Sequence, residues 1–201
     1  MPPSDRDQEE RMRHWLCKSE ETCYSIADLE RDGRAGWDSV RNYQARNFMR
    51  DQMKVGDLVL YYHSNAEPTG VAGIARVSRT GVPDPTQFDP RSEFHDPKSS
   101  REQPTWIMVE VEFVERFPEV VTLAALRAEK ALQGMGVLAR GNRLSVMPCD
   151  PDHFEHVRRM GRSAKSAAKA ATKPATKTAP KPAMKPAKAE AARRGRAVRA
   201  R

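Results

Sequence analysis

Residues 161–201 contain no aromatic side chain, no leucine and no isoleucine, and only one valine and one methionine. A segment of that composition cannot bury enough apolar surface to offset the entropy of ordering its backbone, so it is expected to be disordered on its own. Whatever core this 201-residue chain builds must come from its first 160 residues. A stretch of about 150 residues suffices for one ordinary domain that buries roughly 70% of its unfolded surface, and it leaves no room for a second core.

Charge divides at the same place. Residues 161–201 carry 13 Lys+Arg against a single acid, whereas residues 1–160 carry 22 against 26, so the overall +8 splits into +12 and −4. The basic balance belongs to the tail. Residues 1–11 are polar, hold Pro2 and Pro3 and show no period, which reads as a frayed leader. The expected organisation is a disordered leader over 1–11, one domain over 12–160 and a disordered basic tail over 161–201. No run approaches the ~18 consecutive apolar residues of a membrane span. The charged Met1–Met12 segment is followed by no signal-peptide core. The expectation is a cytoplasmic protein with no membrane partner. Cys17, Cys23 and Cys149 are odd in number and lack Cys-x-x-Cys spacing, which points to reduced, mostly buried thiols rather than a disulfide framework or thiolate zinc site.

Within 12–160 the punctuation is specific. Ser25 followed by Asp28 has the form of a capping box, and Gly33 closes the short helix it opens. From Ser39 to Gln52 there is no Gly or Pro, and Val40, Tyr43, Asn47 and Phe48 fall near helical spacing, which predicts a partly buried helix. Leu58–Tyr62 is a continuous apolar run of strand length, and Gly70–Val77 a second strand. A long Pro/Asp-rich connection spans Pro83–Pro104. Ile107, Val109, Val111 and Phe113 then alternate with Glu110 and Glu112, the pattern of a half-buried strand. Thr122 caps a further helix, Arg143–Met147 reads as a strand, and Asp150-Pro151 opens the last helix. Strands with interspersed short helices and no βαβ repeat predict a mixed α+β barrel. The absence of Gly-x-Gly-x-x-Gly and of a phosphate-loop motif removes support for nucleotide chemistry, and no cofactor is expected.

Four segments concentrate polar and aromatic groups beyond what packing needs: Trp15–Glu20, Trp37–Asn47, Tyr62–Asn65 and Arg143–Pro148. These segments resemble those of the EVE-domain family, which implies recognition of a single modified base, and a reader of a single base must take it out of the stack, hold it between flat faces and hydrogen-bond its edge. Trp37 or Tyr43 could supply stacking worth about 1–3 kcal/mol. Asn42, Ser64 and Asn65 can each donate and accept. His63, Lys18, Ser19 and Trp106 complete the candidate nucleobase pocket. Arg41, Arg46 and Arg143, with tail lysines Lys165, Lys169, Lys173 and Lys177, are the candidate phosphate contacts. Plainer readings stand beside these. Trp106, like Trp15, opens an apolar segment and suits a core or cleft wall. The three arginines could solvate a surface or pair with acids, and His63 could be a core-edge imidazole.

Through these segments, together with Phe94–Ser99 and Trp106, the sequence resembles the EVE-domain family. The resemblance covers about Met12 to Met160. It implies a PUA-like mixed β-barrel with short peripheral helices, and non-catalytic recognition of modified bases in DNA rather than RNA, 5-methylcytosine and 5-hydroxymethylcytosine being the usual candidates. Three positions depart from the family pattern: Glu21 where proline is common, Ser39 where glycine usually follows Trp-Asp, and His95 where tyrosine is usual. The body is expected to be monomeric. In the tail, lysines recur every four residues from 165 to 185, much as in linker-histone-like bacterial proteins, so a bacterial location would be the nucleoid. Such a tail adds affinity for polyanions without sequence preference.

Two rival readings compete. Pro83-Asp84 followed by Asp96-Pro97-Lys98 fits a loose nuclease pattern, in which Asp84 and Asp96 hold a divalent metal and Lys98 orients water. Pro97, however, removes a ladder donor where that motif needs a buried strand. Neither His63 nor His95 has a second metal ligand at suitable spacing, so no metal is expected. The other rival is a DNA-compacting protein driven by its tail, the globular body being passive.

Overall fold

The computed structural model describes residues 12–171 and 198–199, with side chains placed through Ser163. The leader 1–11 and the tail lysines Lys173 and Lys177 lie outside the described residues, as do the side chains of Lys165 and Lys169. At the centre is β3 (Leu58–Ser64), whose apolar run is continuous because both of its faces are covered. Val59 and Tyr61 join one core cluster with Trp15, Cys17 and Trp37, while Leu60 and Tyr62 join the opposite one with Leu16, Ile74 and Phe154.

β1 (His14–Glu20) runs parallel to β3 on one side and pairs antiparallel with β6 (Val146–Cys149) on the other. Beyond β3 come β4 (Gly70–Pro83), β5 (Ile107–Thr122) and β2 (Arg34–Asp38), each antiparallel to its neighbour. A two-residue strand, β7 (Val198–Arg199), lies parallel to β2 opposite Trp37 and Asp38. The order β6-β1-β3-β4-β5-β2-β7 is a mixed sheet with short helices, as the α+β class requires. Among the described residues its ends are β6 and β7, and no ladder joins them into the closed barrel that was expected. β7 exists because the outer edge of β2 offers unpaired backbone groups, a template any extended segment can use.

The helices follow their caps where the cap is local. α1 (Ile26–Asp32) has the full capping box, Ser25 with Asp28, and Gly33 ends it at φ 75°. The helix expected from Ser39 starts four residues later: α2 (Tyr43–Asn47) is capped by Asn42 and continues as one π-helical turn, Phe48–Gln52. α3 (Leu123–Ala128) is capped by Thr122. The strand expected from Arg143 begins at Val146. Residues 142–145 instead form an irregular segment held by Lys18, whose N–H donates to Ser145 O at 2.7 Å and whose Nζ donates to Asn142 O at 3.2 Å.

The last helix, α4 (Pro151–Ala171), runs through the boundary placed at residue 160. Composition hid its anchor. A Cβ at Gly161 would lie 2.4–2.5 Å from ring carbons of Phe117, so only glycine lets the helix approach that ring. One residue on, Arg162 makes a forked pair with Glu115 at 2.6–3.0 Å. Among the described residues no helix is long and apolar enough to cross a membrane. The three cysteines are unpaired; Cys17 and Cys149 are buried, and burial pushes the Cys149 thiol up to about 12.

Candidate nucleic-acid interface

The junction between β2 and α2 is built on one carboxylate. Asp84, 2% exposed, accepts the Ser39 N–H at 2.9 Å, the Thr86 N–H at 2.8 Å and Arg41 Nη1 at 2.7 Å. Ser39 sits at φ 62°, the left-handed region, so the chain turns sharply after β2 and presents its N–H to Asp84. This explains why glycine suits the position. The Arg41 guanidinium is held on every side: it also donates to Phe94 O at 2.9 Å and Thr86 Oγ1 at 2.8 Å and lies against the Trp106 and Phe94 rings.

The Pro83–Pro104 connection is ordered by a second buried hub. Gln87 Nε2 donates to Asp84 O and Trp106 O, both at 2.8 Å, and its Oε1 accepts the Trp106 N–H at 2.9 Å. Trp106 is thereby fixed beneath α2, its indole N–H donating to Asp96 at 2.8 Å. The Lys98 N–H and that indole N–H hold the Asp96 carboxyl below its usual range.

An aromatic ledge rests on this frame. Tyr43, 60% exposed, stacks on Trp106 with centroids 4.9 Å apart and planes 27° apart. The Arg46 guanidinium is 4.8 Å from the Tyr43 centroid and 5.8 Å from that of Trp106, so it flanks the pair instead of covering the outer face of Tyr43. Arg46 is steadied by Thr105 O at 3.0 Å and by Asn47. Asn42 is exposed beside Tyr43; its Oδ1 caps α2, leaving its amide N–H groups for a ligand.

A second group gathers at the ends of β1 and β3. Ser19 is buried and donates to Tyr24 O at 2.8 Å. Asn65, at φ 50°, donates to Glu20 at 2.9 Å, and Ser64 beside it is half-buried. Lys18 is half-buried, and loss of solvent lowers its pKa. The segment it anchors exposes Arg143. His63 is 3% exposed, and burial lowers its pKa, so its ring is neutral near pH 7. Its Nε2 accepts the Ile26 N–H at 3.1 Å, which leaves the proton on Nδ1.

Three expectations change. Trp37 is fully buried on β2, edge-on to Tyr61 at 5.2 Å, and offers no open face for stacking. Arg41 is the buried partner of Asp84 and not a phosphate contact. The nuclease constellation loses its geometry, since Asp84 and Asp96 are spent on Ser39, Arg41, Thr86 and Trp106. Among the described residues no group of three or more His, Cys, Asp or Glu side chains could hold a metal ion.

The EVE domain profile matches residues 13–160, essentially the whole of the body just described. The chain belongs to the EVE family. Human thymocyte nuclear protein 1 is 38% identical over 162 residues, covering 72% of each chain. Among solved structures, a hypothetical protein from Leishmania major is 44% identical with a TM-score of 0.73, covering 78% of this chain and 98% of its own. The human THYN1 protein, crystallised in complex with DNA containing 5-methylcytosine, is 36% identical with a TM-score of 0.69, covering 74% of this chain and 97% of its own.

Within this EVE domain the hubs Asp84 and Gln87 were not foreseen as structural, nor was Asp57, which is 2% exposed and accepts the Trp15 indole N–H at 2.8 Å. A buried carboxylate with several donors leaves no local sequence signal.

Proposed function

We propose that this EVE protein binds DNA without catalysis and reads modified cytosine, 5-methylcytosine or 5-hydroxymethylcytosine, in an extruded base. The observation that carries the reading is its kinship with the human THYN1 protein, which was crystallised with 5-methylcytosine-containing DNA. The exposed Tyr43 face, backed by Trp106 and flanked by Arg46, is the stacking surface in this reading. Arg46 and Arg143 meet phosphates, and Asn42 donates to a base or backbone acceptor. A folded body over 12–160 carries selectivity. The basic tail, including Lys165, Lys169, Lys173 and Lys177, adds affinity without preference. The same reading makes the protein monomeric and cytoplasmic, on the nucleoid in a bacterium.

Stacking on one aromatic ring is worth about 1–3 kcal/mol per base, so Tyr43→Ala should weaken binding by about 5- to 150-fold. Fluorescence anisotropy with oligonucleotides carrying cytosine, 5-methylcytosine or 5-hydroxymethylcytosine tests this. Wild type should prefer a modified form. Equal affinity for all three, or a Tyr43→Ala variant that binds as wild type does, overturns the assignment.

A further inference from the structure

The ladder between β2 and β5 covers Arg34, Ala35 and Gly36 and stops there. Trp37 and Asp38, which finish the strand, are 0% and 2% exposed, so their backbone groups need partners within the protein. β7 supplies them: Val198 stands opposite Trp37 and Arg199 opposite Asp38. β7 also lies against β1. The end of the chain therefore straps the last two residues of β2.

The sequence suits this segment to the task and no other part of the tail. Residues 187–201 are its longest run without proline and hold its only valine, Val198. Proline lacks the ladder donor, and β-branched residues favour strands. Arg199 falls at the register position of Asp38, which matches a cation to an acid. Reach is no obstacle. The 26 residues between Ala171 and Val198 can span about 85 Å, several times the ~15 Å radius of gyration of a body this size. Because β7 runs parallel to β2, its end heads for the Ser39 junction, four residues before Tyr43.

We propose that the edge of β2 is a docking site for the chain's own C-terminal arginine-rich segment, held in cis, and that a nucleic acid releases it. Residues 193–201 carry five arginines and no acid. A backbone laid along β2 cannot also follow a phosphate groove, so docking withholds these cations from the tail until a polyanion competes for them. The docking stands on the ladder alone. The release rests on the DNA-binding reading above.

The test compares full-length wild type with a full-length variant carrying Val198→Pro and Arg199→Pro. In a parallel ladder alternate N–H groups face the partner, so the double change removes a donor whichever of the two residues supplies it. Arg199→Ala removes the same charge and keeps both N–H groups. Hydrogen exchange is read at Trp37 and Asp38, and NMR reads the Trp37 indole N–H, which has no acceptor among the described residues. The indole N–H groups of Trp15 and Trp106, bonded to Asp57 and Asp96, are the references. If the strap is docked about nine-tenths of the time, exchange at the β2 position that donates should be about tenfold slower in wild type than in the double-proline variant. Arg199→Ala should stay close to wild type. The Trp37 signal should differ between wild type and the double-proline variant while the references coincide. Adding an unmodified DNA duplex should abolish the difference in exchange. Equal exchange and superimposed Trp37 signals in the free proteins would overturn the docking. Protection that disappears on tenfold dilution would assign the strand to a second copy and overturn docking in cis. A duplex that binds by fluorescence anisotropy and leaves the protection intact would overturn the release. A duplex that does not bind at all would defeat the DNA-binding reading and leave the docking standing.

Discussion

Replacing Asp84 separates a structural hub from a metal ligand. Its carboxylate is 2% exposed and its partner Arg41 has a side chain only 20% exposed, so Asp84→Ala leaves a mostly buried cation without its counter-charge. Breaking such a pair costs about 3–5 kcal/mol. Arg41 keeps Phe94 O, Thr86 and two ring faces, which argues for the lower end. The buried Ser39 N–H also loses its acceptor, at about 1–3 kcal/mol. Together these give a loss near 4 kcal/mol. With a urea slope of about 2 kcal/mol/M, the unfolding midpoint should drop by about 2 M. Asp84→Asn, which keeps shape and one acceptor, should cost about half as much. A nuclease carboxylate would behave in the opposite way: its removal would abolish metal-dependent nicking of plasmid DNA and leave stability intact. An Asp84→Ala midpoint within about 0.25 M of wild type, about 0.5 kcal/mol by the same slope, would refute the hub.

Other outcomes follow from single geometries. At Ser39, φ 62° penalises any side chain, so Ser39→Gly should be neutral or stabilising by up to about 1 kcal/mol while Ser39→Val costs more than that, read by thermal unfolding. Gly161→Ala forces a methyl into the Phe117 ring and should cost about 1–3 kcal/mol, measurable by the same denaturation. Burial lowers the pKa of both His63 and His14 below the model-peptide value of 6.5. Glu21 opposes the shift at His63, and Glu155, Asp57 and Asp150 oppose it at His14, while Arg158 adds to it. The unfolded chain therefore binds more protons in this window. Their contribution is fully present above pH 6.5 and is lost as pH falls through the lowered folded values. A urea midpoint that falls between pH 7 and pH 5 in wild type, and falls less in His14→Gln, checks the sign.

Much of the frame was legible because its signals are local. The Ser25/Asp28 box, the Thr122 cap and the alternation from Ile107 to Phe113 each act within a few residues. What escaped depends on distant partners. The helix does not start at Ser39 because the chain there is left-handed, at φ 62°, with its N–H turned to Asp84, 45 positions away. The connection from Pro83 was opaque because Gln87 orders it from within. Trp37 was a stacking candidate by residue type alone, and only the pairing of β2 with β5 and contact with Tyr61 put it in the core. The continuation of the last helix past residue 160 escaped because Gly161 and Arg162 resemble tail composition while serving Phe117 and Glu115. For the candidate site, sequence named Tyr43, Arg46 and Trp106, which the fold brings together, and it assigned Arg41 a solvent role that a buried carboxylate denies.

The central claim is that selectivity resides in the folded EVE domain and bulk affinity in the basic tail. A salt titration of the full-length protein tests it most directly, with matched duplexes that differ by one 5-methyl group. If the tail neutralises about 6–10 phosphates, affinity for both duplexes should fall by about 10³–10⁵ between 50 and 200 mM salt. The ratio of the two dissociation constants should stay constant, because a pocket that reads a methyl group by contact releases no counterions. A ratio of one at every salt concentration, or a preference that vanishes in step with the affinity, would contradict the account.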